Sequence, residues 1–183
     1  MVEWNPDIKI VSPEEATQHI PFLREAYRAA YDSHDLVTHT GAVIVRNGLI
    51  ISRGYNHFQG EAKKEVDANP ALLTDPAHKE WKNKNITHAE RSAIQNARGN
   101  GDLSDTIKYM PWVPCRDCAD DVLKASITKM YGHKELIMKT PERWWKSCDE
   151  AISILRKEDV DLYMIEGRIG GVEHLFNGEL WYP

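Results

Sequence analysis

Two short segments decide the fold of this 183-residue chain: His88-Ala89-Glu90 and Pro114-Cys115-Arg116-Asp117-Cys118. They supply one imidazole and two thiolates, a typical set of zinc ligands. A structural zinc site closes with four protein ligands, whereas a catalytic site keeps three and leaves one position for water. The sequence therefore predicts one catalytic zinc ion per chain, bound by His88, Cys115 and Cys118.

Both segments are predicted to open helices, one near Thr87 and the other at Cys115. Cys115 and Cys118 stand three apart, so their sulfurs lie on one side of a first helical turn. There, free backbone N–H groups and the helix dipole favour thiolates. Glu90 is not needed as a ligand, so we expect its carboxylate to lie beside the open position and carry protons. That role is worth on the order of 10²- to 10⁴-fold in rate.

Each segment alone has a simpler interpretation. Thr87 and Glu90 fit a capping box, in which the glutamate would only satisfy a backbone N–H group. A lone C-x-x-C also fits a redox pair or half of a structural zinc site, but no second C-x-x-C is present to complete four sulfurs. A redox pair has no need of H-x-E. The two segments together therefore favour the catalytic site.

Composition limits the classes of function. Asp plus Glu number 28 and Lys plus Arg 23, which gives a formal charge of −5, and no basic tail indicates nucleic-acid binding. The sequence shows neither an export signal nor the roughly 18 consecutive apolar residues of a membrane span. We therefore expect a soluble cytoplasmic protein with a single domain over 1–183. Cys148 lies on an apolar helical face and is predicted to be a core residue.

Outward from the two motifs, strands and helices alternate, which predicts a layered α/β sheet. Ser12-Pro13-Glu14-Glu15 is a typical helix start, and Pro21 is expected to kink or split that helix. Asn47-Gly48 separates two β-rich runs, Gly41 to Arg46 and Leu49 to Tyr55, and predicts a hairpin. Further strands are expected at Ile107 to Trp112 and Leu162 to Ile165, with a helix from Pro141 to Lys157.

Two segments fall outside this alternation. The segment 57–87 is rich in charged residues and is too long for a simple connecting loop in a compact domain. We therefore expect an insertion near the active site. Residues 167–183 are apolar enough to dock on the body or on a neighbouring subunit. The lysines of the insertion are more typical of a solvated face than of phosphate contacts; they include Lys63, Lys64, Lys82 and Lys84.

The motifs resemble those of the cytidine and deoxycytidylate deaminase superfamily, whose members pair H-x-E with P-C-x-x-C. The likeness runs from about Ser33 to Ile165. Gly41-Ala42-Val43-Ile44-Val45 and Gly54-Tyr55-Asn56 are similar to segments of the deoxycytidylate branch, as is the long insertion. The resemblance implies an α/β fold with three α/β/α layers around a central mixed sheet of about five strands. It also implies that the trio His88, Cys115 and Cys118 binds zinc, that Glu90 is the proton shuttle, and that the protein is a homo-oligomer.

The implied reaction is hydrolytic deamination of a cytosine-type nucleotide, deoxycytidylate to deoxyuridylate plus ammonia, with no nucleic-acid or membrane partner. Asn56 is implied as a substrate contact, and we expect His57, Ala89 and Trp112 to line the substrate as well. The indole face of Trp112 suits a flat base.

Two residues depart from the deoxycytidylate pattern. His57 stands where that branch has glycine, and Ser92 where it has asparagine. A free nucleoside or base, such as cytidine, cytosine or guanine, therefore stays open as substrate. A non-catalytic zinc module and a nucleic-acid-editing deaminase are further alternatives.

Overall fold

The computed structural model describes residues 8–183 and contains a six-stranded mixed sheet. The strands are β1 (Lys9–Ile10), β2 (Gly41–Arg46), β3 (Leu49–Tyr55), β4 (Ile107–Tyr109), β5 (Lys129–His133) and β6 (Asp161–Ile165). They lie in the order β1-β6-β5-β4-β2-β3. Strand β2 pairs antiparallel with β3 and β4, and the other neighbours are parallel. The expected count of about five becomes six because β1 pairs with β6 at one edge.

Helices cover both faces of this sheet. They are α1 (Pro13–Ala29), α2 (Gly60–Ala68), α3 (Ala71–Thr74), α4 (Lys79–Asn85), α5 (Ala89–Asn96), α6 (Arg116–Lys124), α7 (Lys134–Ile137) and α8 (Glu142–Lys157). In β2, Val43 and Val45 pack in one cluster with α1, whereas Ala42 and Ile44 pack in a second with α5, α6 and α8. A strand buried on both faces is apolar throughout. The three-layer α/β/α architecture is confirmed.

Local signals account for the first elements. Ser12 Oγ accepts a hydrogen bond from Glu15 N at 3.2 Å and so caps α1. This helix continues past Pro21 without being split. The predicted hairpin forms, and its turn uses positive φ angles at Asn47 (50°) and Gly48 (76°). Such angles match a primed turn to the twist of the strands.

Close packing against β3 fixes the start of α5. A Cβ atom at Gly54 would overlap the backbone nitrogen of Ala93 and the carbonyl oxygen of Ala89. Only glycine leaves that space, so α5 lies directly on the sheet. Strand β4 ends at Tyr109, earlier than predicted, and hydrogen bonds from Met110 N and to Pro111 O extend its pairing with β5. The chain from β4 then reaches α6, which packs beside α5.

The two segments outside the predicted alternation both acquire regular structure. Residues 57–87 hold α2, α3 and α4, and a 3₁₀ turn precedes α4. Residues 167–183 contain a second hairpin, β7 (His174–Phe176) with β8 (Glu179–Trp181). This hairpin contacts the body through His39 N to Leu175 O and Gly178 N to Val37 O, at 2.9 and 2.8 Å. None of the helices in residues 8–183 has the length and apolarity to cross a membrane.

Candidate active site

The structure brings His88, Cys115 and Cys118 together at the starts of two adjacent helices. His88 is the N-cap residue of α5, Cys115 that of α6, and Cys118 lies in the first turn of α6. His88 Nδ1 is 3.4 Å from each sulfur, and the three donor atoms lie within 4.8 Å of one another. The N-cap residue of α5 is His88 and not Thr87, so Glu90 does not occupy the third helical position that the alternative capping box requires.

These distances fit a zinc ion. Zn–S bonds of about 2.3 Å and Zn–N bonds of about 2.0 Å at tetrahedral angles put a sulfur and a nitrogen roughly 3.5 Å apart. Two thiolates and an imidazole are also the soft and borderline donors that zinc accepts. The three side chains leave a fourth coordination position for a non-protein ligand. The donor set is therefore that of a catalytic zinc site and not of a closed structural one.

Hydrogen bonding within the trio prepares it to bind metal. A hydrogen bond from Cys118, aided by His88, lowers the pKa of the Cys115 thiol to about 4. Burial opposes a charge on His88, but its hydrogen bond to Cys115 raises its pKa to about 9. The pKa of Cys118 is well above the ordinary value because it hydrogen-bonds to the Cys115 thiolate and is buried. These shifts favour a thiolate at Cys115, and metal binding would release the protons held by the other two ligands.

Glu90 lies beside the trio in a nearly closed environment. It is 5% exposed, and burial raises the pKa of its carboxyl group. Lys108, on β4, is also fully buried, and its Nζ has no hydrogen-bond partner among residues 8–183. Burial lowers the Lys108 pKa, while the nearby charge of Glu90 acts in the opposite direction. A carboxyl group with a raised pKa is suited to taking up and releasing protons near neutral pH.

The trio and Glu90 line a cavity of about 330 Å³, within the range of roughly 300–1,000 Å³ usual for small-ligand pockets. Helices α3 and α4 contribute one wall, the first turn of α8 a second, and strand β7 a third. The segment predicted as an insertion therefore does contribute to the wall of this cavity. So does the C-terminal hairpin, through His174, Phe176 and Asn177.

Of the four predicted substrate residues, Asn56, Ala89 and Trp112 line the cavity and His57 does not. His57 Nδ1 lies 2.8 Å from the carbonyl oxygen of Tyr55, and its backbone bridges to Thr87. It therefore ties the end of β3 to the chain that leads into α5. Cys148, predicted to be a core residue, is 6% exposed and belongs to the core cluster beneath α8, as expected.

The side chain of Asn56 is largely engaged with the protein. Its Oδ1 accepts hydrogen bonds from Ser33 Oγ at 2.6 Å and Thr40 N at 2.8 Å. Its Nδ2 donates to Thr38 O at 2.8 Å, which leaves one N–H hydrogen uncommitted. Asn56 thus shapes the loop before β2 and can make one further contact in the cavity.

Trp112 is held in a fixed orientation. Its Nε1 donates to Thr140 Oγ1 at 2.8 Å. Trp144 and Phe176 pack edge-on against it, with ring centroids at 6.2 and 5.1 Å. The indole is therefore a rigid part of the cavity wall.

The structure corrects the expectation that Lys82 belongs to a solvated face. Lys82 is 9% exposed and lines the cavity, with Nζ 2.9 Å from both carboxylate oxygens of Asp35. Asp35 Oδ1 also accepts from Val37 N at 2.8 Å. This buried ion pair joins α4 to the loop before β2. Lys63 and Lys64 instead pair with acidic neighbours on α2, outside the cavity.

The cavity lining also includes Lys79, Arg143 and His174, which the sequence did not predict as site residues. Lys79 lies in a polar segment and Arg143 in a predicted helix, and nothing in their spacing distinguishes them from surface cations. His174 is 2% exposed, and its ring nitrogens have no partner among residues 8–183. Burial lowers its pKa to about 3, so the imidazole is neutral.

Comparison with known proteins identifies the class to which this fold and site belong. Residues 16–134 match the model of the cytidine and deoxycytidylate deaminase zinc-binding region, a match that spans all three candidate ligands. The chain is 30% identical over 141 residues to the deoxycytidylate deaminase of Enterobacteria phage T4, covering 59% of this chain and 73% of that protein. This chain therefore belongs to the cytidine and deoxycytidylate deaminase family.

One more relative agrees with this class, and one solved structure shares the fold. A probable deoxycytidylate deaminase of Caenorhabditis elegans is 32% identical over 132 residues, covering 72% of this chain and 60% of that protein. The fold is similar to the dCMP deaminase of cyanophage S-TIM5, whose crystal structure is a complex with dCMP and dUMP. That comparison has a TM-score of 0.56 at 20% identity and covers 84% of this chain and 98% of that one.

Proposed function

We propose that this chain hydrolyses deoxycytidine monophosphate to deoxyuridine monophosphate and ammonia. The proposal rests on one observation: a buried carboxyl group, Glu90, lines the same cavity as a three-donor site that fits zinc. The relatives named as deoxycytidylate deaminases in phage T4 and Caenorhabditis elegans support this choice of substrate. We also expect a homo-oligomeric, cytoplasmic enzyme with one zinc ion per chain.

His88, Cys115 and Cys118 would hold the zinc ion. When bound, zinc supplies a Lewis acid that makes water nucleophilic near neutral pH. Because the trio uses two thiolates, it also neutralises the charge of a divalent ion. Glu90 then contributes the additional carboxylate that the chemistry needs for proton transfer.

Glu90 would move the protons of the reaction. A carboxylate oxygen accepts a proton from the attacking water and delivers it to N3 of the cytosine ring. The water oxygen bonds to C4, and Glu90 then assists transfer of the second water proton to the amine on C4. The C4–N bond breaks, ammonia leaves and C4 keeps a carbonyl oxygen. The raised pKa of buried Glu90 suits both uptake and release.

The other cavity residues would hold the nucleotide. The rigid indole of Trp112 offers an apolar surface to the base, and Ala89 is small enough to let the base approach Glu90. The free N–H of Asn56 is available to a sugar hydroxyl group. His57, which lies outside the cavity lining, would act on the substrate only through its hold on the chain next to Asn56.

A substrate panel tests this proposal. Purified zinc-loaded protein is incubated with dCMP, deoxycytidine, cytidine, cytosine and guanine, and released ammonia is measured. We expect dCMP to have the highest kcat/KM, with dUMP as its product. Preferred turnover of cytidine, cytosine or guanine would overturn the assignment, and no turnover of any compound would support the non-catalytic alternative. Salt-dependent binding to single-stranded DNA or RNA would favour an editing enzyme.

A further inference from the structure

Charged side chains of both signs line the cavity. The basic ones are Lys79, Lys82 and Arg143, and the acidic ones are Asp35, Asp75 and Glu90. Asp35 neutralises Lys82 through the buried ion pair. Within the described part of the chain, neither Lys79 nor Arg143 has a carboxylate oxygen within 4.0 Å. The cavity therefore carries two positive charges that no protein carboxylate pairs.

Arg143 is oriented by a neutral partner. It lies in the first turn of α8, and its Nη2 donates to Asn177 Oδ1 at 3.2 Å. Asn177 occupies the tip of the C-terminal hairpin with φ of 55°. A guanidinium group has five N–H donors, so most remain free for a ligand. The N-cap residue of α8, Pro141, makes no side-chain cap and also lines the cavity, so the positive end of that helix adds to the field.

Lys79 contributes the second cation from the insertion. It is the first residue of α4. Asp75 also lines the cavity, but its Oδ1 accepts a hydrogen bond from Ala77 N at 2.8 Å and caps the 3₁₀ turn before α4. The Asp75 carboxylate thus stabilises the turn and forms no ion pair with Lys79. The insertion and α8 each present one unpaired cation to the same space.

We infer that Arg143 and Lys79 bind the 5′-phosphate of the substrate. The inference rests on the proposed function and names the group that makes the site prefer a nucleotide to a nucleoside. A phosphate monoester carries a charge of about −1.5 to −2 at neutral pH, which two cations match. The planar fork of Arg143 binds two phosphate oxygens, and Lys79 adds a point charge. The base then extends from this anion site toward Trp112 and Glu90.

The test compares each substrate with and without its phosphate. Arg143→Gln, Lys79→Gln and the double variant are assayed with dCMP and deoxycytidine, and dUMP and deoxyuridine binding is measured by calorimetry. Charge-assisted hydrogen bonds are worth about 1.5–3 kcal/mol, so Arg143→Gln should lower kcat/KM for dCMP by about 10- to 100-fold, chiefly through KM. Lys79→Gln should lower it about threefold to tenfold. Loss with deoxycytidine should be clearly smaller for each variant.

Conservative and matched variants make the result specific. Arg143→Lys keeps the charge but lacks the planar guanidinium group that can bind two phosphate oxygens. Its affinity for dUMP should therefore fall between those of wild type and Arg143→Gln. Lys84→Gln on α4 and Lys146→Gln on α8 lie outside the cavity lining and should leave the dCMP-to-deoxycytidine ratio unchanged. Equal losses for dCMP and deoxycytidine in Arg143→Gln would overturn the inference. If wild type turns over neither compound, the proposed function fails instead.

Discussion

The cavity lining contains two groups of functional side chains that are built differently. At the metal end, His88, Cys115 and Cys118 lie at the starts of two neighbouring helices: the C-x-x-C spacing puts both sulfurs in one helical turn, and the packing of α6 beside α5 brings His88 to them. In the second group, Lys79 comes from an insertion and Arg143 from a late helix, and only tertiary packing makes both line one cavity. In the function we propose, the chemistry therefore depends on short motifs, whereas the choice of substrate depends on how distant segments assemble.

The largest effect should follow from changing Glu90 at the metal end. Glu90→Gln keeps the size of the side chain but removes its proton-carrying group, so kcat for dCMP should fall by about 10²- to 10⁴-fold. Zinc content by elemental analysis should equal that of wild type, because Glu90 is not among the three donors. Glu61→Gln, on the exposed surface of α2, serves as the control. Normal turnover in Glu90→Gln would refute the proton-carrying role.

In the cavity wall formed by α4, breaking the buried ion pair should cost stability. Lys82→Met leaves the Asp35 carboxylate buried without its cation, which should lower the free energy of unfolding by about 3 kcal/mol. Denaturant titration measures the change, and Lys84→Met on the exposed face of α4 is the matched control. Adding Asp35→Asn should recover much of the loss, since asparagine can still accept from Val37 N. A loss below about 0.5 kcal/mol in Lys82→Met would show that the pair contributes little.

Replacing Gly54, which allows α5 to pack directly on the sheet, should cause a smaller loss of stability. The Cβ of Gly54→Ala would overlap backbone atoms of Ala89 and Ala93, which cannot rotate away. Overpacking of this kind costs about 1–3 kcal/mol. Zinc affinity should fall too, because the start of α5 carries His88. Ser153→Ala, at an exposed position of α8, is the control and should be nearly neutral. Unchanged stability in Gly54→Ala would contradict this packing.

Replacing Lys108, which is buried beneath the metal end, should have the smallest effect on stability. Unlike the changes above, it should stabilise the protein. Lys108→Met removes an unpaired buried cation and should raise the free energy of unfolding by about 1–2 kcal/mol at pH 7. The folded pKa of Lys108 lies below its ordinary 10.5, so the unfolded chain binds this proton more tightly. The free energy of unfolding of wild type therefore rises relative to that of the variant as pH rises toward 10.5. The difference in stability between the two proteins should shrink over that range. A Met variant less stable than wild type at every pH would contradict this view.

The sequence predicted most of the fold because its features follow from local rules, and it predicted the metal end because two short motifs occur together. Turn chemistry at Asn47-Gly48 and donor spacing in C-x-x-C act over a few residues, and both expectations agree with the structure. Lys82 was misjudged because its partner, Asp35, is distant in the chain. Arg143 was missed for the same reason: its partner Asn177 belongs to the C-terminal hairpin. Residues whose roles arise from tertiary contacts leave no periodic signal.

Zinc K-edge X-ray absorption of the purified protein shows directly whether His88, Cys115 and Cys118 bind zinc. We expect one zinc ion per chain, with two sulfur scatterers at about 2.3 Å and nitrogen or oxygen scatterers at about 2.0 Å. Changing Cys115 or Cys118 to serine should remove one sulfur from that shell. A shell of four sulfurs, a shell without sulfur, or a folded protein that binds no zinc would contradict this expectation.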